Sequence, residues 1–198
     1  MNQLYRQKKC LINIYKMNKT NLAKFDNSWF KTGGNALKRF LWYCTNAIYF
    51  NSFFPINGIK VFLLRLYGAN IGSGLVIKPY VNIKYPWKLS IGDNVWIGEN
   101  VWIDNLENVT IGDNVCLSQG AMLLCGNHDY KKTTFDLIVK PIVLEEGVWI
   151  GAKSVVCPGV TCFSHTVLSV NSVAASDILA YSIYQGNPAV KIRERIIQ

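Results

Sequence analysis

The sequence is short of the residues that metal chemistry needs. It holds two histidines, His128 and His165, so a zinc site built on three histidines lacks ligands, and no metal is expected. Six cysteines occur, at positions 10, 44, 116, 125, 157 and 162, and no two form a C-x-x-C pair. Free thiols in a reducing cytoplasm are the simpler reading, each thiol a small buried hydrophobe. No apolar stretch with a small-residue cleavage site follows the basic start MNQLYRQKKC, which argues against a signal peptide. Charged side chains make up only 17% of the chain and hydrophobic ones 50%, a balance that argues against disorder and allows a sizeable core. Acids are almost missing from residues 1–39, where Asp26 stands against nine Lys or Arg; the rest of the chain carries twelve basic and eleven acidic residues. Nucleic-acid binding would have to rest on that arm alone, and no nucleic-acid partner is expected.

What is present is a repeat. The tetrapeptide IGDN stands at 91–94 and again at 111–114. Around it an aliphatic residue returns every sixth position: Ile71, Ile77, Ile83; Ile91, Ile97, Ile103; Ile111, Leu117, Leu123; then Leu144, Ile150, Val156, Cys162 and Leu168. A period of six fits neither an amphipathic helix nor an alternating strand. It fits a triangular coil of three short faces, with one inward aliphatic per face. The residue after it is often glycine (Gly72, Gly92, Gly98, Gly112, Gly151), read as suiting the corner between faces. The fifth position (Val95, Val101, Val115, Ala121, Val148) also suits an inward place. Two extra residues per coil are expected near Leu89–Ser90 and Val109–Thr110. The fold class is therefore mainly β: a left-handed parallel β-helix, a solenoid that buries its core by stacking coils and needs capped ends.

The repeat breaks once, between Leu123 and Leu144, and the intervening loop (125–141) carries Asn127-His128-Asp129-Tyr130 and then Phe135. Loops that leave a solenoid often carry function. Read from residue types alone, His128 is a loop histidine with a local hydrogen bond, and His165, in CFSHTV, is a surface residue at an outward corner.

The segment GNHDY with its following Phe135, then KPIVLEEGVWIGAKSVVCPGV and GNPAVKIRER, resembles the hexapeptide O-acetyltransferases of bacterial polysaccharide synthesis, in particular the colanic-acid-type exopolysaccharide group. LRLYGANIG and IKYPWKLSIGDNVWIGE look like the same group, and the likeness covers residues 60–195. The resemblance implies an acetyl-CoA-dependent acetyltransferase, a homotrimer with its sites between neighbouring prisms, and His128 as general base. A base of imidazole type, with a free pKa near ~6.5, suits removal of a hydroxyl proton and is worth about 10²–10⁴ in rate. Asp129 is a candidate to orient the imidazole, with Glu99 and Asp104 as rivals. Gly151, Ala152 and Val170 match positions that would line coenzyme A; Asn187 matches the GNPA turn, and Lys191 and Arg193 could meet its phosphates. The chain departs from the group at Val190, directly after GNPA, and at Val170, where a smaller residue is usual. The expected acceptor is a small-molecule or lipid-linked sugar of an exopolysaccharide or capsule. Transfer to an amino-sugar nitrogen, or a β-helix scaffold without activity, are the competing readings.

Three segments are expected: a basic arm with an aromatic-rich helical segment (1–60), the β-helix (61–186), and a C-terminal turn with a short helix (187–198). Residues 40–59 hold no charge and seven aromatics. Such a helix after a basic arm either packs, on the prism as an N-terminal cap or across the trimer, or meets a membrane surface through residues 1–59. Pro55 and the polar residues argue against a spanning helix. Residues 1–27 read as flexible, and the protein as cytoplasmic, at the inner face of the membrane if the arm docks there.

Overall fold

A computed structural model describes residues 18–198, so the arm's first 17 residues, and the flexibility expected of them, lie outside the described part. The chain divides into two units. One comprises Lys31–Asn127 and Val139–Gln198; the other comprises His128–Ile138 with the described residues 18–30.

The larger unit is a parallel β-solenoid with three faces. Strands of two or three residues stack in register: Asn70–Ile71, Leu89–Ile91, Val109–Ile111, Ile142–Leu144 and Thr161–Cys162 form the first face. The second runs from Val76–Ile77 through Trp96–Ile97, Cys116–Leu117 and Trp149–Ile150 to Val167–Leu168. The third starts at Asn82–Ile83 and ends at Val173–Ala174. Ile97 pairs with Leu117, twenty positions on, and Leu144 with Cys162, eighteen on. Stacking equivalent residues makes the core a set of aliphatic columns. Every sixth-position residue is buried, from Ile71 to Leu168, and so are Val95, Val101, Val115, Ala121 and Val148.

Two local expectations are corrected. The corners turn at the fourth position of the hexad, where φ is positive: 56° at Asn94, 59° at Asn100, 57° at Asn114 and 56° at Asn171. Asparagine tolerates this region better than most side chains. The glycine at position two is needed for another reason. A Cβ on Gly98 would lie 2.8 Å from the backbone N of Gln119, so glycine there lets adjacent coils approach. The extra residues also fall earlier than expected. Leu89 and Val109 are buried strand residues, and the insertions occupy the preceding corner, where Pro86–Lys88 makes a 3-10 turn. Asn105, fully buried, fastens that corner by accepting from Tyr85 N at 2.9 Å and donating to Tyr85 O at 2.6 Å. The long loop 125–141 leaves the next coil at this same corner, between Leu124 and Ile142.

The N-terminal segment caps the first coil, whose outer edge has no preceding coil to bond. It comprises α1 (Ala36–Thr45), a π turn (Asn46–Phe50) and α2 (Asn57–Leu66). Asn35 starts α1 by accepting from Lys38 N at 2.8 Å. On the first face Arg65 donates to Ile71 O at 3.1 Å and Gly72 O at 2.8 Å. On the second, Asn57 accepts from Ile77 N and donates to Leu75 O, both at 2.7 Å, and Lys60 donates to Lys78 O at 2.9 Å. On the third, Asn46 accepts from Ile83 N at 3.2 Å and Trp42 Nε1 donates to Ile83 O at 2.9 Å. Lys60 is fully buried, and loss of water pushes its ammonium below the usual lysine pKa. One side of this segment thus packs on the prism as a cap, as one of the two readings had it. Asn57→Ala should cost about 1–3 kcal/mol, because it strands a backbone donor and an acceptor together; urea unfolding of the variant checks this.

The short helix expected within 187–198 is absent. Ser182–Gly186 and Ala189–Glu194 form an antiparallel hairpin, and its first strand pairs in parallel with Val167–Leu168. The open edge of the last coil supplies bonding partners that a free segment lacks, and Val190 and Ile192 favour a strand there.

Candidate active site

His128, where the smaller unit's second segment begins, closes the strand Gly126–His128, which pairs with Leu137–Val139. The hairpin is held where Asp129 N donates to Asp136 O at 2.8 Å. His128 Nδ1 lies 2.9 Å from the carbonyl oxygen of Phe135. A carbonyl can only accept, so Nδ1 carries the proton, and the basic lone pair of the neutral ring belongs to Nε2. The Phe135 ring lies parallel to the imidazole, centroids 4.4 Å apart and planes 6° apart; Phe25 packs at 5.6 Å. Phe135 has φ 53°, an uncommon conformation for a bulky residue. It is held by Phe135 N donating to Lys132 O at 3.1 Å and by the Lys132–Asp136 ion pair at 2.8 Å. One strained residue thus presents both its ring and its carbonyl to the histidine. Leu22, Phe25, His128 and Phe135 line a cavity of about 270 Å³.

The group at Nδ1 is therefore the Phe135 carbonyl, where the sequence had suggested Asp129. The Asp129 carboxylate instead accepts from Lys131 N at 3.1 Å, a turn bond of the kind aspartates make with the backbone two residues on. Phe135 was noticed in the sequence only as part of a motif. Leu22 and Phe25 carried no signal there, since nothing in their spacing marks them.

In the solenoid unit the second face carries a groove of about 550 Å³. Gly151, Ala152, Val170 and Arg193 lie along it together, with Ser118, Gln119 and Arg195, which the sequence did not single out. Trp149 Nε1 donates to Ser118 Oγ at 2.9 Å, which fixes the indole on the groove wall. Arg195 is anchored through Nη1 to Gly147 O at 2.8 Å and His165 O at 3.1 Å. Two expected residues do not line the groove. Asn187 sits in the turn of the terminal hairpin, and Lys191 pairs with Glu194 at 2.6 Å, an interaction that holds the Glu194 carboxyl below its usual pKa. A smaller hollow of about 270 Å³ on the same face includes Glu99. Asp104 is paired with Lys84 at 2.8 Å. His165 is half-buried against Tyr181, centroids 4.9 Å apart.

The thiols of the solenoid are poor nucleophiles. Burial raises the pKa of Cys116, Cys157 and Cys162, and that of Cys125 to about 11. Among the described residues no cluster of His, Cys, Asp or Glu could hold a metal ion.

The chain is similar to the colanic acid biosynthesis acetyltransferase WcaF of Escherichia coli, with 41% identity over 166 residues, 83% of this chain and 91% of the relative. The chain belongs to the hexapeptide-repeat acetyltransferases. A hexapeptide-repeat acetyltransferase of Vibrio cholerae, solved with acetyl-coenzyme A, superposes with a TM-score of 0.74 at 26% identity, covering 83% of this chain and 92% of that one. A galactoside acetyltransferase in complex with coenzyme A superposes with a TM-score of 0.71 at 29% identity, over 80% of each chain. No protein-family model matches the chain. Membership accounts for the repeat, and it makes the protein an acyl-CoA-dependent acetyltransferase.

Proposed function

We propose that the protein moves an acetyl group from acetyl-CoA to a sugar hydroxyl during exopolysaccharide or capsule assembly, with His128 as general base. The observation that carries this reading is the bond from His128 Nδ1 to the Phe135 carbonyl, which makes Nε2 the basic nitrogen. In the transfer, Nε2 takes the acceptor hydroxyl proton as its oxygen attacks the thioester carbonyl. The carbon–oxygen bond forms, the carbon–sulfur bond breaks, and the proton passes to the departing thiolate. Backbone N–H groups would meet the oxyanion. The groove over Gly151 and Ala152 suits a thin extended chain, and Arg193 and Arg195 supply positive charge for phosphates. The homotrimer implied by family membership belongs to the same proposal, as does an acceptor that is a small or lipid-linked sugar.

Thiol release from acetyl-CoA, measured against sugars, amino-sugars and lipid-linked sugars, tests the reading. Release that depends on a hydroxyl acceptor supports it. Release with amino-sugars alone makes the protein an N-acetyltransferase, and no release combined with no acetyl-CoA binding by calorimetry leaves a scaffold. Arg193→Ala should raise KM for acetyl-CoA about five- to tenfold with kcat little changed, since a charge on the groove wall binds ground state and transition state alike.

A further inference from the structure

The cap has two sides. Trp42 on α1, and Lys60 and Leu64 on α2, are buried toward the first coil, so the opposite side of each helix is turned outward. Leu37 and Phe40 on α1, Phe62 and Leu66 on α2, and Ile48 and Phe53 on the segment between them are each at least 59% exposed. So many exposed large apolar side chains on one short segment mark an interaction surface. Its charge is as one-sided as its hydropathy. Between Asp26 and Asp93 the chain has no acid and eight Lys or Arg, of which Lys31 and Arg39 are exposed before and on α1. Residues 1–92 carry fourteen basic side chains against one acid, and residues 93–198 carry seven against eleven.

We propose that the outward face of α1 and α2 docks on an anionic phospholipid surface. Exposed aromatics with a cationic border suit the interface between headgroups and acyl chains, where rings insert and cations meet phosphates. A second copy brought to this face would set like charge against like, which disfavours it as the occupant. No helix among the described residues is long and apolar enough to cross a membrane, so the contact is one that lies on the surface. This inference stands apart from the transfer chemistry. It adds a reason for an enzyme of this family to meet lipid-linked acceptors where they are held.

Flotation of the full chain with vesicles tests it. The protein should rise with phosphatidylcholine vesicles containing about one third phosphatidylglycerol and stay behind with phosphatidylcholine alone. Raising salt from about 0.1 to 0.5 M should release it. Phe40→Ser with Phe62→Ser should weaken binding at least about tenfold, because each removes an inserting ring. Both side chains are 62% exposed, so the melting temperature should be unchanged. Absence of flotation at low salt, or equal flotation by the variant, overturns the proposal. So does a variant that keeps its lipid binding but falls to a smaller mass by light scattering, which would make this face a contact between copies.

Discussion

His128→Ala should lower kcat by about 10²–10⁴-fold while acetyl-CoA affinity stays within about twofold. The split follows from how the histidine is held. Its Nδ1 is committed to the Phe135 carbonyl and its ring is stacked on the Phe135 ring, so under the proposed mechanism the loss is of a proton acceptor in a set orientation. The residues that line the groove on the second face belong to other elements. Calorimetry with coenzyme A and single-turnover thiol release separate the two quantities, and a melting curve checks that the loop's loss of a ring contact has not unfolded it. Turnover by the variant equal to the parent would remove His128 from the mechanism. A variant that loses affinity and turnover together would give the histidine a binding role instead. Phe135→Leu is the companion: it keeps the carbonyl and removes the ring, so a smaller fall in kcat is expected there.

How much of this was legible in the sequence depends on whether a position repeats. The inward aliphatics were readable because one environment recurs in every coil and each copy tests the others. Ile97, Leu117 and Ile150 occupy the same column, and all are buried. His128 drew notice because it stands where the repeat stops, but its role as a base came only from the resemblance. The cap was not readable residue by residue. The first coil's free edge demands bonding partners, but whether Asn57 or another polar residue supplies them depends on how α2 settles, a tertiary matter with no period. Leu22 and Phe25 join a cavity with residues far along the chain for the same kind of reason. The terminal hairpin went the other way from expectation because the last coil's edge outweighs the local preference of residues 187–198. Asp129 lost its expected role because a backbone carbonyl, invisible to residue type, already stood at Nδ1.

Gly151→Val should destabilise the fold by about 3 kcal/mol or more, although Gly151 directly follows the strand Trp149–Ile150, beside residues that branched side chains suit. The conflict is resolved by what a Cβ would meet. It would lie 2.7 Å from Leu168 O, 2.7 Å from Val170 N and 2.8 Å from Ser169 C, all backbone atoms of the next coil. None of these can rotate away, as a side chain could. Gly151 N itself donates to Leu168 O at 2.7 Å, so parting the coils to admit a side chain breaks the bond that sets their spacing. Gly58 provides the control. A Cβ there meets nothing within 4 Å, and the residue lies in α2, so Gly58→Ala should leave stability unchanged or raise it by about 0.5–1 kcal/mol. If both variants lost stability alike, the cost would be that of altering glycine itself, and coil spacing would not be the cause. Because Leu168, Ser169 and Val170 also line the groove, a coil displaced at Gly151 should, if the groove holds the acyl carrier as proposed, raise KM for acetyl-CoA as it lowers stability.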